Sequence, residues 1–389
     1  MQHEPKHHSA PALPKRDLWL LPLLVVATLA ALFAVGEGVA RYFYPAEAID
    51  ACQVPDAIMG TRFKPGCTST TKAPEGPWVT NQYNECGARS ATSCAAKASG
   101  TLRIVAFGSS LTEGYLIPYE QAYPVRVGNA LAGYCHRPVD VQDVASIGYN
   151  WKRQQLNFAD AAKLQPDVLI TSIVPFDLER DPQSYEPEAA AAASAAPAPP
   201  PPPLLNRLYV ALKEQVKAAY VAQYFYFKDA KAFTDLYLHY GEKANFLRTP
   251  FSPFWLARLQ AYDELLGQMA GQAHAAGVPL VLVYVPQRAQ AAMISGTPSP
   301  AGVDPWAFSQ AIGAMAARHG IVYVNTSDSF SQLKNAADLY YPVDGHPSGD
   351  GHAVIAEAVV ARLAGLAGSP FADCDAPAVI ASLTQRATP

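Results

Sequence analysis

The sequence predicts an α/β protein: a three-layer αβα sandwich around a parallel five-stranded sheet, with an N-terminal transmembrane helix and a helical insertion. Three observations predict it. Five short runs along the 389 residues are almost continuously apolar or β-branched, as strands buried on both faces must be. Segments of helical periodicity lie between them, and alternating strand and helix selects a parallel sheet with right-handed crossovers. Half of the residues are hydrophobic and only 16% are charged, which suits a large core and excludes a disordered chain.

The first element is the uncharged run from Leu18 to Gly36. At about 1.5 Å per helical residue it approaches the roughly 30 Å of a bilayer core. Lys15 and Arg16 precede it, and Glu37 and Arg41 follow. The positive-inside tendency makes residues 1–17 a cytoplasmic tail and 18–40 an anchor, with the rest of the chain outside. The rival reading is a cleaved signal peptide with a small-x-small site at Gly38-Val39-Ala40. The run is longer than the roughly 7–15 residues of a signal core, which favours a retained anchor. All six cysteines (Cys52, Cys67, Cys86, Cys94, Cys135, Cys374) lie beyond this run, and an even count in an oxidising compartment suggests disulfides. The local pairs are expected to be Cys52–Cys67 and Cys86–Cys94, leaving Cys135 with Cys374, although spacing alone does not fix connectivity. No Cys-x-x-Cys supports a zinc or redox site.

Residues 41–100 read as a cysteine-containing extension. The five runs follow at 103–107, 139–144, 167–174, 279–285 and 321–324. Helical segments are expected at 123–133, 152–164, 256–276 and 305–319. A last helix, capped by Ser348, carries Val354, Ile355, Ala358, Val359 and Leu363 on one face and ends at Gly365. Thus 101–180 and 256–389 make the two parts of one domain, and 181–255 is the insertion. The insertion opens with an alanine and proline tract at 189–203, which suits a semi-rigid arm. Leu205, Leu208, Leu212 and Val216 then recur at helical spacing. Tyr220, Tyr224, Phe225, Tyr226, Phe227, Phe233, Tyr237 and Tyr240 suit a helical hairpin packed on the domain; a lid, a sugar-stacking surface or a membrane-facing patch are the sharper readings.

In a parallel sheet the ligand crevice lies at the carboxyl ends of the strands, and those ends carry the chemistry. Gly108-Ser109-Ser110-Leu111-Thr112-Glu113-Gly114 follows the first strand, a glycine-flanked turn that projects a serine hydroxyl. Gly148 follows the second, where a substrate oxygen can approach a backbone N–H. Asp177 follows the third and Arg288 the fourth; Asp344-Gly345-His346-Pro347 precedes the last helix. Ser110, Gly148, Asp344 and His346 therefore converge on one rim as nucleophile, oxyanion donor and Asp–His base. A serine hydroxyl needs a base to take its proton, histidine titrates near neutrality, and a carboxylate orients the ring. Asn150, Asp177 and Arg288 are candidate substrate-binding residues; the alternative for Arg288 is a surface or salt-bridged arginine. His352 reads as structural. No dinucleotide or Walker motif occurs, no metal or other cofactor is expected, and a net charge of −4 without a basic stripe argues against nucleic acid.

These blocks resemble the SGNH/GDSL hydrolase superfamily, especially its membrane-tethered bacterial members. The first block of that family reads Gly-Asp-Ser-x-Thr-x-Gly and matches Gly108 to Gly114. The match assigns the nucleophile and one oxyanion N–H to Ser110. Gly148 matches the second block, ahead of Gln154-Gln155-Leu156, and Asp344-Gly345-His346-Pro347 with Gly351-His352 matches the last. Glu37, Arg41 and Thr80-Asn81 also look like those relatives, and the short Asp-x-His spacing looks like polysaccharide-modifying branches. The resemblance covers about 100–180 and 256–365 and implies a flavodoxin-like sheet. Two positions depart from it: Ser109 stands for the first-block Asp, and Phe176 for the third-block Asn that donates to the oxyanion.

The implied function is a membrane-anchored serine esterase or O-acyltransferase. It would work on O-acetyl esters of an envelope or secreted polysaccharide through an acyl-Ser110 intermediate. Its location would be the bacterial inner membrane, single-pass, with the catalytic domain in the periplasm, and a membrane acyltransferase is an expected partner. The alternative, prompted by Phe176 and the aromatic insertion, is a non-catalytic glycan-binding or envelope-assembly protein on the same fold. A lipid esterase whose aromatic insertion dips into the bilayer is a third.

Overall fold

A computed structural model describes residues 14, 16–43, 50–72, 75–95, 97–114, 116–180 and 216–374. Most of the N-terminal tail, the tract at 189–203, Leu205, Leu208, Leu212 and the residues after 374 lie outside it. The chain divides into two units, residues 1–46 with 200–223, and 47–199 with 224–389.

The first unit holds α1 (Asp17–Phe43), whose apolar side chains, among them Trp19, Leu23 and Phe33, are exposed. It is the one helix among the described residues long and apolar enough to cross a membrane, and a signal sequence near the N-terminus can meet the same length and hydropathy criteria. Near its end Glu37 pairs with Arg41 at 2.8 Å and accepts the N–H groups of Lys217 (2.9 Å) and Ala218 (2.8 Å).

The second unit begins with two antiparallel hairpins, β1 (Gln53–Asp56) with β2 (Gly60–Phe63) and β3 (Thr68–Lys72) with β4 (Trp78–Gln82). The αβ layers follow: β5 (Leu102–Phe107), α2 (Ser110–Glu113), α3 (Tyr123–Cys135), β6 (Val139–Asp143), α4 (Trp151–Ala162), β7 (Val168–Ile173) and α5 (Pro175–Glu179). The insertion supplies α6 (Lys217–Lys228), which starts in the first unit, and α7 (Ala230–Tyr237). The remaining elements are α8 (Pro253–Ala275), β8 (Leu280–Tyr284), α9 (Arg288–Ile294), α10 (Ala307–Arg318), β9 (Val322–Asn325), α11 (Ser327–Ser331) and α12 (Gly349–Leu363). The sheet is wholly parallel in the order β6-β5-β7-β8-β9, the flavodoxin-like 2-1-3-4-5 order, with its switch point between β5 and β7.

Period-2 alternation sorts the strand residues onto two faces. Ile104, Ile170, Val281 and Val283 face one core with α3 and α12, where Val127, Leu131, Ile355 and Val359 are buried. Val105, Leu169, Leu282 and Tyr284 face the other with α4, α8 and α10, where Phe158, Leu266, Met269 and Phe308 are buried. The helices start where capping chemistry puts them: Ser348 accepts the N–H of Gly351, and Ser252, ahead of Pro253, accepts that of Trp255. In the insertion, Phe233 and Tyr237 of α7 lie against α9. The Phe233 ring is 4.4 Å from the Arg288 guanidinium, and the Tyr237 hydroxyl bonds Gln287. Phe225 and Tyr226 remain exposed. All three disulfides form as the local pairing expects, Cys52–Cys67, Cys86–Cys94 and Cys135–Cys374.

The hairpins β1 to β4 carry no apolar signal in the sequence. On β3 and β4 the buried side chains include Ser69, Thr71 and Asn81, so the period-2 pattern is written partly in polar residues. Ser69, Asn81 and Tyr83 all donate to the buried carboxylate of Asp50.

The approach of α3 to β6 depends on Gly128, where a Cβ would fall inside the van der Waals envelope of Val141 Cγ2. Gly128→Ala gains up to about 1 kcal/mol of helix propensity and incurs overpacking of about 1–3 kcal/mol. The expected outcome is a net loss of stability, read as a lower denaturant midpoint.

Candidate active site

The first strand of the sheet ends at Phe107, and the chain turns sharply at Gly108 (φ +135°). A Cβ there would meet Thr112 Oγ1 at 2.8 Å and Thr171 Oγ1 at 3.0 Å, so the turn admits only glycine. Asn157 of α4 holds it by accepting the Gly108 N–H at 2.9 Å and donating to the Val144 carbonyl at 2.8 Å. Ser110 follows as the first residue of α2.

His346 reaches it from a turn 236 residues later. The Gly345 N–H bonds the Tyr341 carbonyl at 2.9 Å, and the Tyr341 N–H bonds the His346 carbonyl at 2.9 Å, with Gly345 at φ +86°. His346 Nε2 lies 2.8 Å from Ser110 Oγ, and its Nδ1 lies 2.7 Å from Asp344 Oδ1. With Nδ1–H donating a hydrogen bond to the carboxylate, Nε2 is the acceptor for the serine hydroxyl. Asp344 Oδ1 also accepts the backbone N–H of His346 at 3.0 Å. Burial works against the imidazolium, but the charge and hydrogen bond of Asp344 outweigh it and raise the His346 pKa above 6.5. Burial likewise pushes Asp344 up, and the His346 pair prevails and lowers it below 3.8.

Gly148 lies in the turn after β6 with φ +86°. The Ser146 N–H bonds the Gly108 carbonyl at 3.0 Å, which sets this turn beside the serine turn. Asn150 caps α4 by accepting the Arg153 N–H at 3.1 Å; it is fully buried, and its Nδ2 has no partner among the described residues. Asp177 is buried behind the serine turn and accepts from Ser109 Oγ at 3.2 Å and Val174 N–H at 3.3 Å. Burial raises its carboxyl to about 7. Phe176 is exposed on α5 with the Arg180 guanidinium 5.2 Å from its ring, and it offers no donor.

Arg288 is corrected by the structure. Its guanidinium turns inward, donating to the carbonyls of Ala337 (3.2 Å), Pro342 (3.1 Å) and Phe227 (2.5 Å). A residue this buried needs its donors satisfied internally, and these carbonyls satisfy them. His352 is buried, accepts the Tyr123 N–H at 3.1 Å and is lowered by burial to about 3, so it stays neutral.

Sequence reasoning missed residues that hold the site from outside it. Arg89 donates to the carbonyls of Glu113 (2.6 Å), Gly114 (2.9 Å) and Ile117 (2.8 Å), closing the segment after Ser110. Gln53 donates to the Ile147 carbonyl at 3.2 Å, and the Tyr149 hydroxyl donates to the Thr61 carbonyl at 2.8 Å, so both sides of Gly148 are held by the extension. None of these residues lies in a motif; Thr80-Asn81 was the only nearby signal.

A family model described as the GDSL-like Lipase/Acylhydrolase family matches residues 106–354. Similar solved structures include that of TesA, at 13% identity and a TM-score of 0.38, covering 67% of this chain and 97% of that one. The lipase Lip_vut3 from a goat rumen metagenome is 17% identical with a TM-score of 0.32, covering 67% and 97%. The lipase/acylhydrolase from Enterococcus faecalis is 10% identical with a TM-score of 0.36, covering 67% and 93%. No curated protein matches the chain.

The raised carboxyl of Asp177 makes stability depend on pH. Its folded form prefers the proton, so the stability it contributes is whole below the ordinary value of 3.8 and is lost as pH rises through about 7. Between roughly pH 4 and pH 8 the urea midpoint should fall more steeply for the wild type than for Asp177→Asn, which cannot ionise. Parallel slopes would contradict this.

Proposed function

The chain belongs to the GDSL-like lipase/acylhydrolase family, and from that premise we propose that Ser110, His346 and Asp344 act as one catalytic unit on acyl esters. The carrying observation is the unbroken path Ser110 Oγ–His346 Nε2 (2.8 Å) and His346 Nδ1–Asp344 Oδ1 (2.7 Å). Ser110 Oγ attacks the ester carbonyl as His346 takes its proton, and Asp344 stabilises the imidazolium that forms. The backbone N–H groups of Ser110 and Gly148 receive the oxyanion. As the intermediate collapses, His346 returns the proton to the departing alkoxide. The acyl-enzyme then passes its acyl group to water or to a sugar hydroxyl, with His346 again the base.

With Phe176 at the third-block position, one oxyanion donor must come from elsewhere. Asn150 lies two residues beyond Gly148 with a buried, unpartnered Nδ2, and we assign it that donation. Ser109 donates its hydroxyl to Asp177 at 3.2 Å, and Ser110 is the serine paired with His346.

The finer reading is O-acetyl chemistry on an envelope or secreted polysaccharide, by a domain held on the periplasmic face of a bacterial inner membrane. The anchor is 18–40, the extension 41–100, and the insertion 181–255 interrupts the catalytic domain. Lys15 and Arg16 ahead of α1 support the orientation, and three disulfides suit an oxidising compartment. The exposed Trp78 and the Tyr119 ring line an open cleft of about 320 Å³ with Thr80, Gln82 and Glu120, a mixture of ring faces and polar edges that suits sugars.

Two measurements test the assignment. Mass spectrometry after fluorophosphonate treatment should find the label on Ser110, and Ser110→Ala should lose both the label and about 10³-fold or more of acetyl-ester hydrolysis. Labelling that survives in Ser110→Ala overturns the nucleophile; polysaccharide binding with no labelled serine favours the non-catalytic reading that Phe176 suggests. Asn150→Ser keeps a capping oxygen and removes the amide donor, and should cost about 10²-fold in kcat with KM little changed. A loss confined to KM would remove Asn150 from the oxyanion site.

A further inference from the structure

We propose that Glu75, in the link between β3 and β4, is a positioning residue for the triad: its carboxylate holds the turn that aims Asp344 at His346. The inference rests on the catalytic reading above and concerns a residue outside every motif of the chain. Glu75 Oε1 accepts the N–H groups of Val343 at 2.9 Å and Asp344 at 2.6 Å, and Oε2 lies 3.3 Å from Val343 N. Two successive amides of the catalytic turn thus converge on one carboxylate, 268 and 269 residues away in sequence. Charge-assisted bonds of this kind are short and about twice as strong as neutral ones.

The geometry makes this contact consequential. The Asp344 side chain is engaged by His346, so the direction in which it points depends on its backbone. That backbone belongs to a tight turn, with Gly345 at φ +86°, which the amide pair fastens to the β3–β4 hairpin. The hairpin end is fastened in turn, since Lys72 Nζ donates to the Gly76 carbonyl at 2.6 Å. Burial raises the Glu75 carboxyl to about 7; the Asp344 and Val343 amides and Arg288 pull it down, and the Asp344 charge pushes it up. Tyr341 also feels its charge.

Two substitutions separate reach from charge. Glu75→Gln keeps a carbonyl oxygen at the same reach and loses the charge; Glu75→Asp keeps the charge and falls one methylene short. The readouts, on the full-length chain in detergent micelles, are the His346 titration by NMR with ¹³C-labelled histidine and the kcat and KM for an activated acetyl ester. Positioning predicts that Glu75→Asp lowers the His346 pKa, because Asp344 loosens its hold on the ring, and lowers kcat by about tenfold or more with KM little changed. Glu75→Gln keeps the reach but weakens both bonds, and should move the His346 titration and kcat in the same direction by a smaller amount. Any other ordering, including two variants that both behave as wild type or both fall alike, overturns the inference. A wild-type chain that hydrolyses nothing and labels no serine overturns the catalytic reading instead, and the His346 titration then still decides the role of Glu75.

Discussion

A parallel sheet carries every strand's carboxyl end to the same edge, and this chain brings its serine and glycine turns together there. The serine turn leaves β5, an interior strand at the switch point, and the Gly148 turn leaves its neighbour β6. The two turns are tied by the Ser146 N–H to the Gly108 carbonyl and by Asn157, which bonds both. Only the histidine turn comes from outside the strand ends, and it arrives on the loop before α12, whose Ile355 and Val359 are packed on the sheet face. The 2.8 Å contact between Ser110 and His346 is therefore a product of core packing as much as of local turn chemistry.

The extension before the sheet is part of this construction. Four of its side chains reach three site loops: Arg89 the segment after Ser110, Gln53 the turn at Gly148, Glu75 the turn at Asp344, and Tyr83 the side chain of Glu113 in the serine block. Disulfides Cys52–Cys67 and Cys86–Cys94 brace the stretch that carries Gln53, Tyr83 and Arg89. A small pair of hairpins with few apolar residues has little core of its own, and covalent cross-links are the usual remedy.

Beneath the serine block lies an unusual density of buried acid. Asp50 is satisfied by four donors, from Cys52 N–H, Ser69, Asn81 and Tyr83. Glu113 and Asp143 are buried with fewer partners, and desolvation raises both, Asp143 to about 8. With Tyr83 donating to Asp50 at 2.7 Å and lying 3.3 Å from Glu113, a neutral Glu113 can donate to the phenol and extend the hydrogen-bond chain to Asp50. Arg89 packs among these groups and gives its hydrogen bonds to carbonyls, so its charge offsets theirs without a direct pair.

The sheet, its helices and the serine, glycine and Asp–His turns were legible in the linear chain, because strands buried on both faces must be apolar and tight turns must use glycine. Ser110, Asp344 and His346 could be read there because each sits at a strand or helix end with a short local motif. The hairpins, Arg89, Asn157 and Glu75 could not, because their partners are backbone carbonyls and amides, which have no sequence signature. Arg288 shows the same limit from the other side: a strand-end arginine reads as a ligand contact, and only packing reveals carbonyls and an aromatic ring around it. Sequence by itself determined which elements form, since that depends on local periodicity and turn geometry. Tertiary structure alone decided which buried polar groups meet, since hydrogen bonding between residues from 24 to 269 positions apart depends on how the layers are packed.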